Sequence, residues 1–271
     1  MEQKVNFQSY DGTELVGILN TAGNTTKGAL LMIHGVPSEK NEWGFYSDMS
    51  AFLAEHGIVS FRFDLRYNGE SQEGSISNLT LSNMCNDIES AYWQLKNKLP
   101  NAIPIYAVGT SFSGGVTVKW ANIFKRDIAH IFLMAPLLDY DRDITGNKLP
   151  PAGNNYIAMP EKSLKLLKEN GVLDDEVRYG YHMINEAHLF DINHELSLNK
   201  SPITVFQGDS DSSVPLGITK EYTDQHGYIE LVIIKGADHG FAVEGDDDLT
   251  FPGTKENHFF VYQEQLNRMS K

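Results

Sequence analysis

The feature that most constrains the fold is residues 103–115, where an apolar strand must turn at once into a helix. Residues 105–108 are apolar and end at Gly109, and the chain from Val116 onward has a helical composition. The positions two before and two after Ser111 are small, Gly109 and Ser113, as a strained and closely approached turn requires. Such a turn presents the Ser111 hydroxyl at its tip, so Ser111 is the candidate nucleophile.

Two alternatives remain open for this stretch. The common motif is Gly-x-Ser-x-Gly, whereas Ser113 occupies the last glycine position here, so a shifted register would make Ser113 the nucleophile. The other alternative is a glycine-rich turn that only packs closely or binds a phosphate at the N-terminus of the helix. We favour Ser111 because Gly109 marks the strand end and the turn should follow it directly.

Apolar runs and helical periods alternate along most of the chain. This alternation predicts an α/β fold with a mostly parallel central sheet and helices on both faces. Asp11-Gly12, between two strand-like segments, predicts an opening β-hairpin. Further strands are expected at 29–33, 58–63, 105–108, 130–136 and 203–206 and from residue 228 onward, and helices at 47–56, 81–98 and 116–125.

Between residues 137 and 200 the alternation stops. This segment contains Pro150-Pro151, a Gly-Asn-Asn turn at 153–155, a helical stretch at 161–169 and many aromatic and methionine side chains. We predict that residues 1–136 and 201–271 form one α/β domain and that residues 137–200 form an inserted lid over the carboxyl edge of its sheet. The alternative is a helical insertion that packs on the surface and has no role in ligand binding.

Charge and cysteine content exclude several classes of partner. With 22 basic and 36 acidic residues the formal charge is −14, so nucleic acid is not expected as a partner. No stretch of about 18 apolar residues suggests a membrane span, and the first residues lack a secretory pattern, so a cytoplasmic location is expected. Cys85 is the single cysteine and the histidines show no ligand spacing, so no metal site is expected.

Acidic and histidine-bearing loops follow two later strands. The strand at 203–206 runs into a loop with Asp209 and Asp211, and the strand from residue 228 runs into a loop with His239. A serine nucleophile needs a base within hydrogen-bond reach, and the base needs a carboxylate that orients it. Serine, acid and histidine therefore occur in that chain order at strand ends on one edge of a parallel sheet.

With these motifs the chain resembles the α/β-hydrolases, especially lidded serine esterases of the feruloyl/cinnamoyl-esterase and monoacylglycerol-lipase-like groups. The resemblance is carried by His34-Gly35 and by residues 63–71, 109–115, 208–215 and 236–240. It implies the α/β-hydrolase fold with Ser111 as nucleophile and His239 as general base. The acid falls on Asp211, because the family pattern places it three residues before Val214-Pro215, and Asp209 is the alternative.

The resemblance also implies an oxyanion hole made by the backbone N–H groups of Val36 and Phe112. His34 is then expected to support this loop, and Asp64 and Arg66 to brace a neighbouring loop as a pair. The implied function is a serine hydrolase that cleaves a small-molecule carboxylic ester or thioester through an acyl-enzyme, a reaction for which no cofactor or metal is expected. A carrier-protein thioesterase or acyltransferase, a peptidase, and a non-catalytic ligand binder are the alternatives.

Overall fold

The computed structural model describes residues 1–23, 26–100, 102–145, 161–170 and 179–270, and its centre is one eight-stranded sheet. The strands are β1 (Glu2–Gln8), β2 (Glu14–Asn20), β3 (Gly28–Ile33), β4 (Ile58–Phe63), β5 (Ile105–Thr110), β6 (Ile131–Met134), β7 (Ile203–Gly208) and β8 (Ile229–Ile234). Their spatial order is β1-β2-β4-β3-β5-β6-β7-β8. β2 pairs antiparallel with β1 and β4, and the other pairs are parallel, which confirms the predicted mostly parallel sheet.

Helices cover both faces of this sheet. The described helices are α1 (Phe45–Glu55), α2 (Leu81–Lys96), α3 (Ser113–Ile123), α4 (Glu161–Asn170), α5 (Tyr181–Leu189), α6 (Ile192–Leu198), α7 (Leu216–Gln225) and α8 (Pro252–Met269). Side chains of β3 alternate between two apolar cores: Leu31 packs with α2 and α3, whereas Met32 packs with α1 and α8. Burial on both faces explains why this strand is apolar at every position.

The opening hairpin is confirmed, and one helix begins earlier than predicted. β1 pairs with β2 through Gln8 opposite Glu14, and Gly12 in the connecting turn has φ of 83°. The helix expected from Val116 begins at Ser113, because a single residue with positive φ, Ser111, suffices to turn the chain out of β5. Strand and helix therefore almost abut at the predicted nucleophile.

The segment 137–200 is described in part. Its first residues, Leu137, Leu138 and Tyr140, are buried against the sheet domain, and a short π-helical turn follows at Asp141–Thr145. α5 and α6 bury further apolar side chains in the same core as α2 and α3. The Pro150-Pro151 pair and the predicted turn at 153–155 lie outside the described residues, as do Tyr156 and Met159, two of the aromatic and methionine side chains of this segment.

None of the described helices combines the length and the apolar character needed to cross a membrane.

Candidate active site

Ser111 lies at the junction of β5 and α3 with φ of 48°, in the left-handed region that non-glycine residues rarely adopt. Its N–H donates to the carbonyl of Met134 at 2.8 Å, and its own carbonyl accepts the N–H of Leu137 at 2.8 Å. A strained conformation persists where its surroundings fix it in this way. The turn thus places the Ser111 side chain beyond the carboxyl end of β5.

Two glycines of the motif allow close backbone packing around this turn. A Cβ added at Gly109 would collide with Thr117, and one added at Gly114 would collide with Pro136. These two positions of the motif must therefore be glycine because β5, α3 and the residues after β6 pack too closely to leave room for a side chain.

His239 lies between Ser111 and Asp211. Its Nε2 is 2.9 Å from Ser111 Oγ, and its Nδ1 is 2.8 Å from Asp211 Oδ2. His239 follows β8 and Asp211 follows β7, while β6 separates β7 from β5 in the sheet. The structure therefore brings together the three side chains that the sequence singled out from distant parts of the chain.

The Asp211 carboxylate is buried and held by more than the histidine. Its Oδ1 accepts the backbone N–H groups of Ser213 and Val214, each at 2.9 Å. Its Oδ2 also accepts a hydrogen bond from Gln207 Nε2 at 2.6 Å. These bonds fix both oxygens, so the carboxylate presents one defined lone pair to His239 Nδ1.

Gln207 is a site residue that the sequence did not reveal. It is fully buried on β7, its Nε2 also donates to the carbonyl of Val214 at 3.0 Å, and its Oε1 accepts from Thr219 Oγ1 at 3.1 Å. Every polar atom of its amide therefore has a partner, and the side chain links Asp211 to α7. Nothing in the strand composition distinguishes this glutamine from an ordinary buried polar residue.

The neighbouring carboxylates have other partners. Asp209 Oδ1 accepts the N–H of Gly236 at 2.6 Å, and Asp209 is exposed. Asp238 Oδ1 accepts the N–H groups of Gly240 and Ala242, each at 2.8 Å, so it braces the turn that carries His239. Of the two candidate acids, Asp211 is the one whose carboxylate contacts the histidine.

Ser113 and His34 form a buried support beneath the site. Ser113 is fully buried in the first turn of α3, and its hydroxyl donates to the His34 carbonyl at 2.5 Å. His34 Nε2 accepts the N–H of Leu65 at 2.9 Å, and its Nδ1 lies 2.6 Å from the Gly35 carbonyl. Burial lowers the pKa of His34 to about 4, which fits a neutral ring with its proton on Nδ1.

Val36 and Phe112, the two residues predicted to supply oxyanion-hole N–H groups, belong to the two chain segments that meet at Ser111. Phe112 is the N-cap residue of α3, where the helix dipole and unpaired N–H groups favour negative charge. Val36 follows Gly35, and a Cβ at Gly35 would lie 3.1 Å from Ser111 Cβ. Within the described part of the chain, neither N–H has a hydrogen-bond acceptor, so both are available to an oxygen atom on a ligand.

Glu42 is the second site residue that sequence reasoning missed. It lies in a short turn, Glu42–Gly44, and its carboxyl accepts the N–H of Gly35 and, at 3.0 Å, the hydroxyl of Ser38. Burial raises the pKa of Glu42 to about 7. The sequence places this glutamate in a polar loop before α1, where a solvated side chain would have been the ordinary expectation.

Asp64 and Arg66 brace loops, but not as a pair with one another. Asp64 is fully buried and accepts hydrogen bonds from both Nζ and the backbone N–H of Lys40, each at 2.7 Å. Arg66 instead forms ion pairs with Asp87 and Asp11. The predicted bracing role therefore divides between two networks because each side chain faces a different element.

Other reactive or ligating groups are sparse among the described residues, where no cluster of three histidine, cysteine or acidic side chains is arranged to hold a metal ion. Cys85 is buried in α2, and burial raises the pKa of its thiol to about 12. The described side chains therefore place a hydroxyl, an imidazole and a carboxylate in one hydrogen-bonded line, an arrangement in which a serine can be activated as a nucleophile.

A comparison with protein families gives one match. The model of the family described as serine aminopeptidase, S33, matches residues 24–175, which is more than half of the chain. No curated protein matches the chain significantly.

Solved structures match the chain over almost its whole length. Est1E from Butyrivibrio proteoclasticus with ferulic acid bound has a TM-score of 0.77 at 20% sequence identity, covering 98% of this chain and 100% of its own. The α/β hydrolase GrgF from Penicillium sp. sh18 has a TM-score of 0.70 at 21% identity, covering 99% and 98%. An esterase from Exiguobacterium antarcticum has a TM-score of 0.66 at 15% identity, covering 98% and 99%. Identities this low establish the fold alone.

Proposed function

We propose that this chain, which belongs to the serine aminopeptidase, S33, family and has the α/β-hydrolase fold, is an esterase that cleaves carboxylic esters through an acyl-enzyme. The observation that carries the proposal is the continuous line of hydrogen bonds from Ser111 Oγ through His239 to Asp211, at 2.9 and 2.8 Å. A protein that only binds a ligand has no need of this geometry.

The first half-reaction follows from the positions of these atoms. His239 Nε2 takes the proton of Ser111 Oγ as the oxygen attacks the ester carbonyl. Asp211 accepts the hydrogen bond of Nδ1–H, keeps Nε2 unprotonated before the attack, and stabilises the imidazolium that forms. The imidazolium then protonates the departing alcohol, and the acyl group remains on Ser111. A water molecule, activated by His239 in the same way, then attacks the acyl group, and the carboxylic acid leaves Ser111.

Backbone N–H groups stabilise the negative charge on the oxygen of the tetrahedral intermediate. We assign the oxyanion hole to the N–H groups of Val36 and Phe112, because Phe112 follows Ser111, Val36 follows the Gly35 that packs against Ser111, and neither N–H has an acceptor among the described residues. A preorganised donor of this kind lowers the barrier by about 3–4 kcal/mol. The position of Phe112 at the start of α3 adds the favourable end of the helix dipole.

Residues 137–200 are proposed as a lid inserted between 1–136 and 201–271. Supporting contacts come from two described parts of the segment: Tyr140 donates its hydroxyl proton to the Phe112 carbonyl, and the Tyr179 ring lies 5.4 Å from the Phe112 ring. Aromatic groups therefore border the nucleophile turn on the lid side. We infer a hydrophobic acyl or aryl group on the substrate, in keeping with the ferulic acid bound by Est1E. A cytoplasmic location stays a prediction of the sequence.

The function is tested with a panel of acyl substrates and the Ser111→Ala variant. The panel contains p-nitrophenyl esters from acetate to long acyl chains, methyl ferulate, an acyl-thioester and an aminoacyl p-nitroanilide. We expect turnover of esters by the wild type and loss of at least about 10³-fold in kcat/KM in Ser111→Ala. A fluorophosphonate probe should label the wild type and leave the variant unlabelled.

Each alternative has its own outcome in this panel. Hydrolysis confined to the thioester would favour the thioesterase, and hydrolysis confined to the p-nitroanilide would favour a peptidase, which the description of the family brings into consideration. Absence of both turnover and labelling would mean that the protein binds ligands without catalysis.

A further inference from the structure

Glu42 lies in an unusual backbone segment next to the nucleophile. Both Glu42 and Trp43 have positive φ, 46° and 55°, and Gly44 follows with φ of 98°. Two successive non-glycine residues in the left-handed region are uncommon, and such strain is retained where the surrounding structure fixes it and often where function depends on it. The strained turn has the effect of directing the Glu42 side chain back toward the loop that follows β3.

Inside that loop the Glu42 carboxyl binds two groups. Oε1 accepts the N–H of Gly35, and Oε2 accepts the hydroxyl of Ser38 at 3.0 Å. The loop from Gly35 to Glu42 is thereby closed by one side chain, while its outer end is held separately by Lys40, which bonds Asp64 through both its N–H and its Nζ.

Gly35 needs this restraint because of the position it occupies. A Cβ there would approach Ser111 Cβ to 3.1 Å and Glu42 Oε1 to 3.4 Å, so glycine at this position lets the loop approach the serine without crowding. Glycine has the widest choice of backbone conformation of any residue. The peptide unit after Gly35 carries the Val36 N–H, and its direction depends on the dihedral angles of Gly35.

We propose that Glu42 is a positioning residue whose carboxyl holds the Gly35 N–H and so directs the Val36 N–H at the oxyanion. The inference rests on the proposed function, because it assigns Val36 to the oxyanion hole. Glu42 itself does not touch the reacting atoms; it acts through the dihedral angles of Gly35. What matters in this role is a hydrogen-bond acceptor at the Oε1 position, and a neutral amide oxygen supplies one as well as a carboxylate does.

Two variants separate the acceptor from the charge. Glu42→Gln keeps the oxygen at the same reach and removes the charge. Glu42→Asp keeps the charge and withdraws the acceptor by about 1.5 Å, the length of one carbon–carbon bond. Glu39→Asp is the matched control, since Glu39 belongs to the same loop but accepts from Asn41 Nδ2 at 2.9 Å and makes no bond to Gly35.

The measurement is kcat and KM with the best p-nitrophenyl ester, together with the thermal midpoint and the inhibition constant of a trifluoromethyl ketone, whose adduct carries an oxyanion. For Glu42→Asp we expect kcat to fall about 10- to 100-fold, KM to change less than about threefold, and the ketone to bind more weakly in proportion. Glu42→Gln should retain kcat within about fivefold of the wild type, and Glu39→Asp should match the wild type.

Specific results would overturn the role of Glu42. Wild-type kcat in Glu42→Asp would mean that the carboxyl does not position the loop. A loss in Glu42→Gln as large as that in Glu42→Asp would mean that an acceptor oxygen at the Oε1 position is not sufficient, which contradicts the proposed role. Either result, with an active wild type and an inactive Ser111→Ala, would leave the proposed function standing, whereas an inactive wild type would refute both.

Discussion

Replacing Asp211 by asparagine should place a hydrogen-bond donor, instead of an acceptor, opposite His239 Nδ1. Oδ1 accepts two backbone N–H groups, those of Ser213 and Val214, which cannot act as acceptors. The amide oxygen of the asparagine must therefore occupy the Oδ1 position, and its NH₂ group must occupy the Oδ2 position. That NH₂ group then faces His239 Nδ1, and it also faces the donor Nε2 of Gln207.

A donor at this position forces His239 into the wrong tautomer. Nδ1 must accept the hydrogen bond, so the ring proton moves to Nε2, which faces Ser111 Oγ at 2.9 Å and can no longer take its proton. An equivalent exchange in serine proteases lowers kcat by about 10⁴-fold. We expect about 10³- to 10⁴-fold here, or ~4 to 5 kcal/mol in the barrier. The fold should persist, since the two backbone bonds at the Oδ1 position are retained.

The assay is ester hydrolysis at pH 7.5 with Asp209→Asn as the control. Asp209 accepts the N–H of Gly236 through one oxygen, and an asparagine oxygen can do the same. Its kcat should stay within about threefold of the wild type. A kcat for Asp211→Asn within tenfold of the wild type would refute the tautomer argument. A large loss of kcat in Asp209→Asn instead would assign the role of the acid that orients His239 to Asp209.

Two further predictions concern the supports of the site. Ser113→Ala removes the donor to the buried His34 carbonyl, so urea denaturation should show a loss of about 1–2 kcal/mol while ester hydrolysis falls less than tenfold; inactivation as complete as in Ser111→Ala would instead favour the shifted register. The folded-state pKa of Glu42, about 7, exceeds its ordinary value of 4.5, so the unfolded chain releases this proton first and stability falls as the pH rises through 7. The glutamine of Glu42→Gln cannot ionise, so the variant does not lose this stability. The free energy of unfolding of the variant minus that of the wild type should therefore increase from pH 5 to pH 8. A difference that stays constant over this range would contradict the raised pKa.

Local patterns sufficed for much of the fold. β3 and β5 are apolar at nearly every position because both of their faces are buried, and this pattern is visible without knowledge of what covers them. β5 runs one residue past Gly109, to Thr110, and glycine is needed at position 109 because a side chain there would collide with Thr117. The order of the strands in the sheet could not be read in this way. β6 lies between β5, which leads to Ser111, and β7, which leads to Asp211, and this order depends on contacts between distant segments that no local pattern encodes.

Ser113 and Asp209 show where local reading reached its limit. Both lie two residues from a favoured site residue and have the same chemical type. The backbone around Ser111 turns its hydroxyl toward His239 and turns that of Ser113 into the interior, against His34. The choice between such neighbours depends on side-chain direction, which spacing along the chain does not specify.

The sequence by itself determined the alternation of strands and helices, the small residues around the nucleophile turn, and the presence of serine, acid and histidine at the ends of parallel strands. These features follow from local steric demands and from burial, which act over a few residues. The tertiary structure decided which acid meets the histidine and which groups hold the site in place. Gln207 and Glu42 lie only four and seven residues from their partners, Asp211 and Gly35. They still acquire their roles only in the folded chain, because the direction of a side chain is set by the folded backbone and not by spacing along the sequence.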